Sequence, residues 1–223
     1  MKLSGSLFFS NELQRVADTM RLAVTEDETL DLILVAGGGG IARQYIETAK
    51  KFGADQATLD EIGIAASRLN ARVTISALGE AALDYVPSTL RELVQAHELG
   101  LDHKRIIVLG GLHPGQSTNA VAALISERLR AKLFVNATNV AGVYTRNPEK
   151  FKGAKLLEKV TVKQLAGILK EEPIVAGGYD LMDPVALKLI ERSKLATIIM
   201  KCEAKLLKDV LLNRASQGTR VVF

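Results

Sequence analysis

The stretch Leu34-Val35-Ala36-Gly37-Gly38-Gly39-Gly40-Ile41-Ala42-Arg43 decides how the chain is read. An apolar run stops in four glycines, and a helical pattern begins directly after them. Residues without a Cβ let backbone N–H groups approach an anion closely, and a helix start adds its own unsatisfied N–H groups and positive dipole end. Arg43, in the first helical turn, brings a planar fork that binds phosphate oxygens bidentately. A flexible surface loop also looks like a glycine cluster, so support has to come from the rest of the chain.

That support is repetition. Ile106-Ile107-Val108-Leu109, in a strand expected from Arg105, again ends in glycine, followed by Gly110-Gly111-Leu112-His113-Pro114-Gly115-Gln116-Ser117-Thr118 and an alanine-rich helix to about Arg130. A strand, glycine loop and helix recurring in this way imply parallel strands joined by right-handed crossovers, with ligands at their carboxyl ends. The continuously apolar run from Asp31 to Ala36 suits a sheet covered on both faces. A third glycine pair stands at Gly177-Gly178.

Around these loops the spacing predicts helices. One is capped by Asn11, with Leu13, Val16, Ala17, Met20 and Val24 inward; others run from Ile41 to Phe52 and from near Leu59 to Leu78. Capping boxes at Thr89-x-x-Glu92 and Thr161-x-x-Gln164 start two more, and Pro184 opens another. Strands are expected at Leu133 to Asn136, Thr197 to Met200 and Arg220 to Phe223, with a helix through Arg214 before the last; Met1 to Leu3 reads as a strand end running into a turn. Ala137 to Pro148 reads as a long turn-rich connection.

The 223 residues are 48% hydrophobic and 24% charged, enough for one α/β domain with a sizeable core. No run of 18 apolar residues and no signal-like leader occurs, so the reading is a cytoplasmic protein with no membrane partner. The single cysteine, Cys202, is expected as a small buried hydrophobe. Net charge is +4 without a basic stripe, and the four Tyr and six Phe give few stacking platforms, which favours small anions over a nucleic acid polymer. Walker, Gly-x-Gly-x-x-Gly, zinc and Gly-x-Ser-x-Gly patterns are all missing. Phosphoryl transfer remains, a reaction that asks mainly for positioning and charge neutralisation.

Lys2-Leu3-Ser4-Gly5-Ser6, Ala36 to Arg43, Gly110 to Thr118, Ala137-Thr138-Asn139-Val140-x-Gly142-Val143-Tyr144 and Tyr179-Asp180-Leu181-Met182-Asp183-Pro184 together resemble the amino acid kinase family, in its archaeal uridylate kinase branch. The resemblance covers nearly the whole chain. It implies a three-layer α/β/α sandwich around a mainly parallel sheet, transfer of the γ-phosphate of ATP to UMP with Mg²⁺ in pyrimidine nucleotide supply, and a homohexamer built as a trimer of dimers. The chain is then a single domain, 1–223, with 1–136 mainly the acceptor lobe and 137–223 mainly the ATP lobe.

Carried over by position, Lys2 resembles the lysine that neutralises the transferring phosphoryl group, and Arg43 its accompanying arginine. Gly5, Ser6 and Gly39 resemble the donor-phosphate turns; Thr138, Asn139, Tyr144 and Asn147 fall where the family holds the ATP base and ribose. Gly38, Asp60 and the run Leu112, His113, Pro114, Gly115, Gln116, Ser117, Thr118 resemble the UMP site.

This chain also departs from the family pattern. Lys2 lies beside a chain end expected to fray, and Asn119, Ala141 and Asn147 stand where the family often has Asp. No metal-ligating set is expected; the nucleotide phosphates hold Mg²⁺, with Asp183 as a contributor or simply as a helix cap. Two other functions stay open. One is a kinase of the same fold with another acceptor, such as isopentenyl phosphate; the other is a catalytically silent nucleotide-binding module.

Overall fold

The computed structural model describes residues 1–103, 106–148, 151–171, 181–212 and 217–223. The Gly177-Gly178 pair, Tyr179, Asp180, Arg105 and Arg214 fall outside them. The described strands are β1 (Lys2–Leu3), β2 (Ile33–Ala36), β3 (Ile107–Leu109), β4 (Phe134–Thr138), β5 (Lys159–Thr161), β6 (Thr197–Lys201) and β7 (Thr219–Val222). They form one sheet in the order β3-β2-β1-β4-β6-β7-β5, parallel except where β7 runs against β6.

The helices are α1 (Glu12–Glu26), α2 (Gly39–Lys51), α3 (Gln56–Leu78), α4 (Leu90–His103), α5 (Thr118–Arg128), α6 (Val162–Glu171), α7 (Pro184–Ser193) and α8 (Ala204–Leu211). Because strand side chains alternate, the sheet divides them cleanly. Leu3, Leu34, Ala36, Val135, Ala137, Ile198 and Met200 pack with α1, α3 and α8. Val35, Leu109, Phe134 and Ile199 pack with α4, α5, α6 and α7. The result is the expected three-layer α/β/α sandwich.

Local chemistry explains several element boundaries. Asp55 caps α3 by accepting from Thr58 N at 2.9 Å, which starts that helix three residues before the predicted Leu59. The Thr161 and Gln164 box closes as expected, each side chain bonded to the other's backbone N–H at 2.9 and 3.1 Å. At α4 the box is only half made: Thr89 Oγ1 accepts from Glu92 N, while the Glu92 carboxylate reaches back past Thr89 to Ser88. Asn11 makes no side-chain cap on α1; Ser10 Oγ accepts from Glu12 N instead. Ala137 and Thr138 belong to β4 rather than to the turn-rich connection after it, and β5 is a strand beyond those the spacing predicts.

The chain start is tied down rather than frayed. The Met1 amine donates to Ile33 O at 2.6 Å, and Lys2 is 9% exposed between Val35 and Asn136.

Candidate functional site

β1 is the switch point of the sheet: from it the chain steps to β2 and β3 on one side, and later to β4 and β6 on the other. In open α/β sheets the crevice at the carboxyl ends beside such a point is where ligands bind. The loops after β1, β2, β3 and β4 all leave from this edge, carrying most of the residues singled out in the sequence.

The ladder continues into the loop roots. Gly37 N donates to Leu3 O at 3.0 Å, Ser4 N to Ala137 O at 2.8 Å, and Cys202 N to Thr138 O at 2.7 Å. After β1 the chain turns in a short 3-10 helix, Gly5–Phe9, whose Gly5 lies against the turn after β2. A Cβ on Gly5 would sit 2.2 Å from Gly39 N, and one on Gly39 2.3 Å from Gly5 O. Gly39 has φ +64°, in the left-handed region that glycine adopts freely.

Gly39 also opens α2, two residues before the predicted Ile41. Side-chain oxygens of Asp55, Ser117 and Asp183 cap α3, α5 and α7, but no side chain caps α2. Its first N–H groups and dipole are left for an anion. Arg43, in that first turn, is exposed and makes no hydrogen bond or ion pair with the described residues.

Lys2 pairs across the sheet with Val35 and Asn136 and shares their face, so it points to the α5 and α7 side. There Asn136 and Asn119 both donate their amide nitrogens to Leu181 O, at 2.6 and 3.4 Å. Their Oδ1 atoms, and Oε1 of Gln116, are buried acceptors without a hydrogen-bond partner among the described residues. Burying a polar atom unpaired costs about 1–3 kcal/mol, which suits a site that a donor-bearing ligand completes.

The loop after β3 is held by α3. Asp60 Oδ2 accepts from Gly115 N at 2.7 Å, leaving its other oxygen to the outside. Leu112 is buried, His113 and Pro114 are exposed, and Ser117 caps α5 with bonds of 3.1 Å from Asn119 N and Ala120 N. The Ser117 hydroxyl donates to Asp183 Oδ2, while Asp183 Oδ1 caps α7 at 2.9 and 3.0 Å from Val185 N and Ala186 N. Both Asp183 oxygens are thus engaged, as the helix-cap reading expects. Thr118 opens α5 beside them.

After β4, Thr138 Oγ1 donates to Asn139 Oδ1 at 3.1 Å, and Asn139 is exposed. Tyr144 bridges to Leu156, half-buried, and Asn147 is 5% exposed. Cys202 lies beside this edge with its thiol pushed up to about 11 by burial, so it stays neutral and unreactive near neutral pH.

Three polar residues in the middle of α3 went unmarked in the sequence. Asn70 Nδ2 donates to Gly37 O at 2.7 Å and Gly38 O at 3.1 Å, turning those carbonyls into the protein. In the loop after β3, Arg68 donates likewise to the Gly111 and Leu112 carbonyls, while Ser67 Oγ accepts from Gly111 N. A serine and an asparagine in a helix interior, each with an apolar neighbour on the same turn, are the signal that existed, because such residues disfavour helix unless their side chains bond elsewhere.

A cavity of about 340 Å³ lies at the opposite, amino edge of the sheet, walled by Met1, Leu32, Leu133 and Arg130. It is separate from the crevice just described. Among the described residues no helix is long and apolar enough to cross a membrane.

A doubly wound sheet with paired glycine turns at its switch point defines an α/β protein for phosphorylated ligands. The chain belongs to the amino acid kinase family, whose model matches residues 1–201. A uridylate kinase of Sulfolobus acidocaldarius is 38% identical over 231 residues, covering 100% of this chain and 97% of its own. One from Methanoregula boonei is 41% identical over 182 residues, 81% of this chain and 76% of that one. Among solved structures, the uridylate kinase of Archaeoglobus fulgidus superposes with a TM-score of 0.85 at 34% identity, over 99% of this chain and 97% of that one.

Proposed function

We propose that the chain transfers the γ-phosphate of ATP to UMP, giving ADP and UDP. The observation that carries this reading is the meeting of Gly5 with Gly39 beside Lys2 at the switch point, in a chain alignable over its full length with a uridylate kinase. A UMP phosphate oxygen attacks the γ-phosphorus while the bond to the β,γ-bridging oxygen breaks and ADP leaves. Such a transfer asks for alignment and charge stabilisation rather than covalent help from the protein.

In this reading Lys2 neutralises charge on the transferring group, and Gly5, Ser6 and Gly39 cradle the donor phosphates. Gly38 and Arg43 hold the acceptor phosphate, with Arg43 also reaching the donor. Asp60, through the oxygen not spent on Gly115, accepts from the acceptor ribose. Leu112 to Thr118 enclose the acceptor, and Thr138, Asn139, Tyr144 and Asn147 the adenosine. Residues 1–136 thus serve mainly UMP and 137–223 mainly ATP.

Among the described residues no group of three or more Asp, Glu, His or Cys side chains is placed to hold a metal. With both Asp183 oxygens engaged, this donor set fits a Mg²⁺ that arrives on the nucleotide and keeps most of its waters. When bound, it neutralises β- and γ-phosphate charge.

An isoprenoid acceptor is not favoured, because Asp60, Gln116 and Ser117 make the acceptor loop polar. We place the chain in the cytoplasm as a homohexamer, a trimer of dimers. Copies would meet through the exposed apolar residues Tyr45 of α2, Phe52 directly after it, and Leu69 and Val73 of α3. ADP release with UMP, CMP, AMP, isopentenyl phosphate and acetylglutamate as acceptors tests the reading; it expects UMP to lead, and a panel without that preference removes it.

A further inference from the structure

Ser67-Arg68-Leu69-Asn70 lies mid-way along α3, where one face of the helix carries the floor of the acceptor loop. Ser67 Oγ donates to Ile64 O at 2.7 Å and accepts from Gly111 N at 2.7 Å. Arg68 Nε donates to Gly111 O at 3.0 Å, and one Nη to Leu112 O at 3.3 Å and Ser88 O at 3.0 Å. The Gly111 residue is therefore gripped at its N–H and its carbonyl by adjacent residues. The loop lies so close that a Cβ on Gly110 would sit 2.6 Å from Arg68 N and Ser67 Oγ.

The third partner is itself anchored. Ser88 donates its N–H and hydroxyl to Glu92, both at 2.7 Å, and these bonds with the Tyr85 hydroxyl hold the Glu92 carboxyl down at about 2. Arg68 thus ties the acceptor loop to the start of α4. Its guanidinium bonds three carbonyls and pairs with no carboxylate among the described residues. A cation that bonds neutral carbonyls leaves more of its field in the loop above it than one closed into an ion pair.

We propose that Arg68 is a positioning residue for the acceptor: it shapes the Gly111-Leu112 backbone and supplies positive potential where an anionic phosphomonoester must sit. This rests on the reading of the loop as the acceptor site. Its consequence is a split between the two substrates, since among the described residues the side-chain hydrogen bonds of Ser67 and Arg68 go to Ile64, to Gly111 and Leu112 and to Ser88, and none goes to the loops after β1 and β2.

Steady-state kinetics and calorimetric binding of UMP and of ATP are compared for wild type, Arg68→Ala, Arg68→Lys and Ser67→Ala, with thermal melts for each. Arg72→Ala is the control, one turn on and paired with Asp84 on the surface. Arg68→Ala raises the KM and Kd for UMP by about tenfold or more, the size expected for lost charge-assisted hydrogen bonds, and leaves those for ATP within about twofold. Added guanidinium partly restores it, Arg68→Lys falls between, and Ser67→Ala gives a smaller shift of the same kind. Equal effects on both substrates, or a lowered Tm with unchanged UMP affinity, overturns the proposal. If wild type binds UMP without turning it over, kinase function fails while the Kd comparison still decides Arg68. If wild type does not bind UMP, both fall.

Discussion

Gly5 and Gly39 touch through their backbones, each lying where the other's Cβ would have to be. Two loops from adjacent parallel strands are thereby locked together at the switch point, within two residues of Leu3 and three of Ala36. Lys2 then stands at a fixed distance from the N–H groups that open α2.

Gly39→Ala should therefore be severe. The overlap with Gly5 and the positive φ add to roughly 2–5 kcal/mol, while Gly53→Ala, with φ +79° and open space around it, should cost only about 1–2 kcal/mol. Urea denaturation of both variants measures the difference. Equal costs would mean that strain in φ, and not the contact with Gly5, governs the position.

Arg43→Ala separates binding from folding. The side chain is exposed and bonded to none of the described residues, so the melting temperature should hold while the KM for UMP rises about tenfold or more. An unchanged UMP dependence takes Arg43 out of the site.

The outline of this site was legible because it rests on local signals. Continuous apolar runs at Ile33 to Ala36 and Ile107 to Leu109 mark buried parallel strands, and glycine ends each of them. What supports the loops was not legible. Ser67, Arg68 and Asn70 are polar residues whose meaning depends on which loop lands on α3, a tertiary fact with no local periodicity. β5 is three residues with an exposed lysine, too short to show alternation. The fraying expected beside Lys2 does not occur, because β1 sits centrally, buried between β2 and β4, and nothing in the residues next to Lys2 shows that placement.

Asp183→Asn distinguishes cap from metal ligand. Asn caps as well as Asp through Oδ1, but its amide nitrogen cannot accept from the Ser117 hydroxyl, whose two lone pairs already serve Asn119 N and Ala120 N, so Asp183→Asn should cost about 1–2 kcal/mol and Asp183→Ala, which loses the cap as well, about 2–4 kcal/mol. The Mg²⁺ concentration for half-maximal activity should be the same in wild type and Asp183→Asn. A marked rise would assign the carboxylate to the metal.

Stability should rise with pH between 5 and 8. Burial lowers the Met1 amine to about 5, so across this window the unfolded chain binds a proton that the folded chain refuses. The stabilising difference is complete above pH 8 and falls as pH drops toward 5, by up to about 4 kcal/mol from this group. Urea unfolding at pH 5.5 and 8, with and without N-terminal acetylation, reads this contribution directly. A slope that acetylation leaves unchanged would assign it to other groups.

The most direct test of the whole account is the fate of a labelled γ-phosphate. Incubated with γ-labelled ATP, UMP and Mg²⁺, the chain should place the label in UDP, and Lys2→Ala should abolish that product while UMP still binds. Label released only as inorganic phosphate, or UDP formed undiminished by Lys2→Ala, would contradict a transfer centred on Lys2 and the Gly5–Gly39 contact.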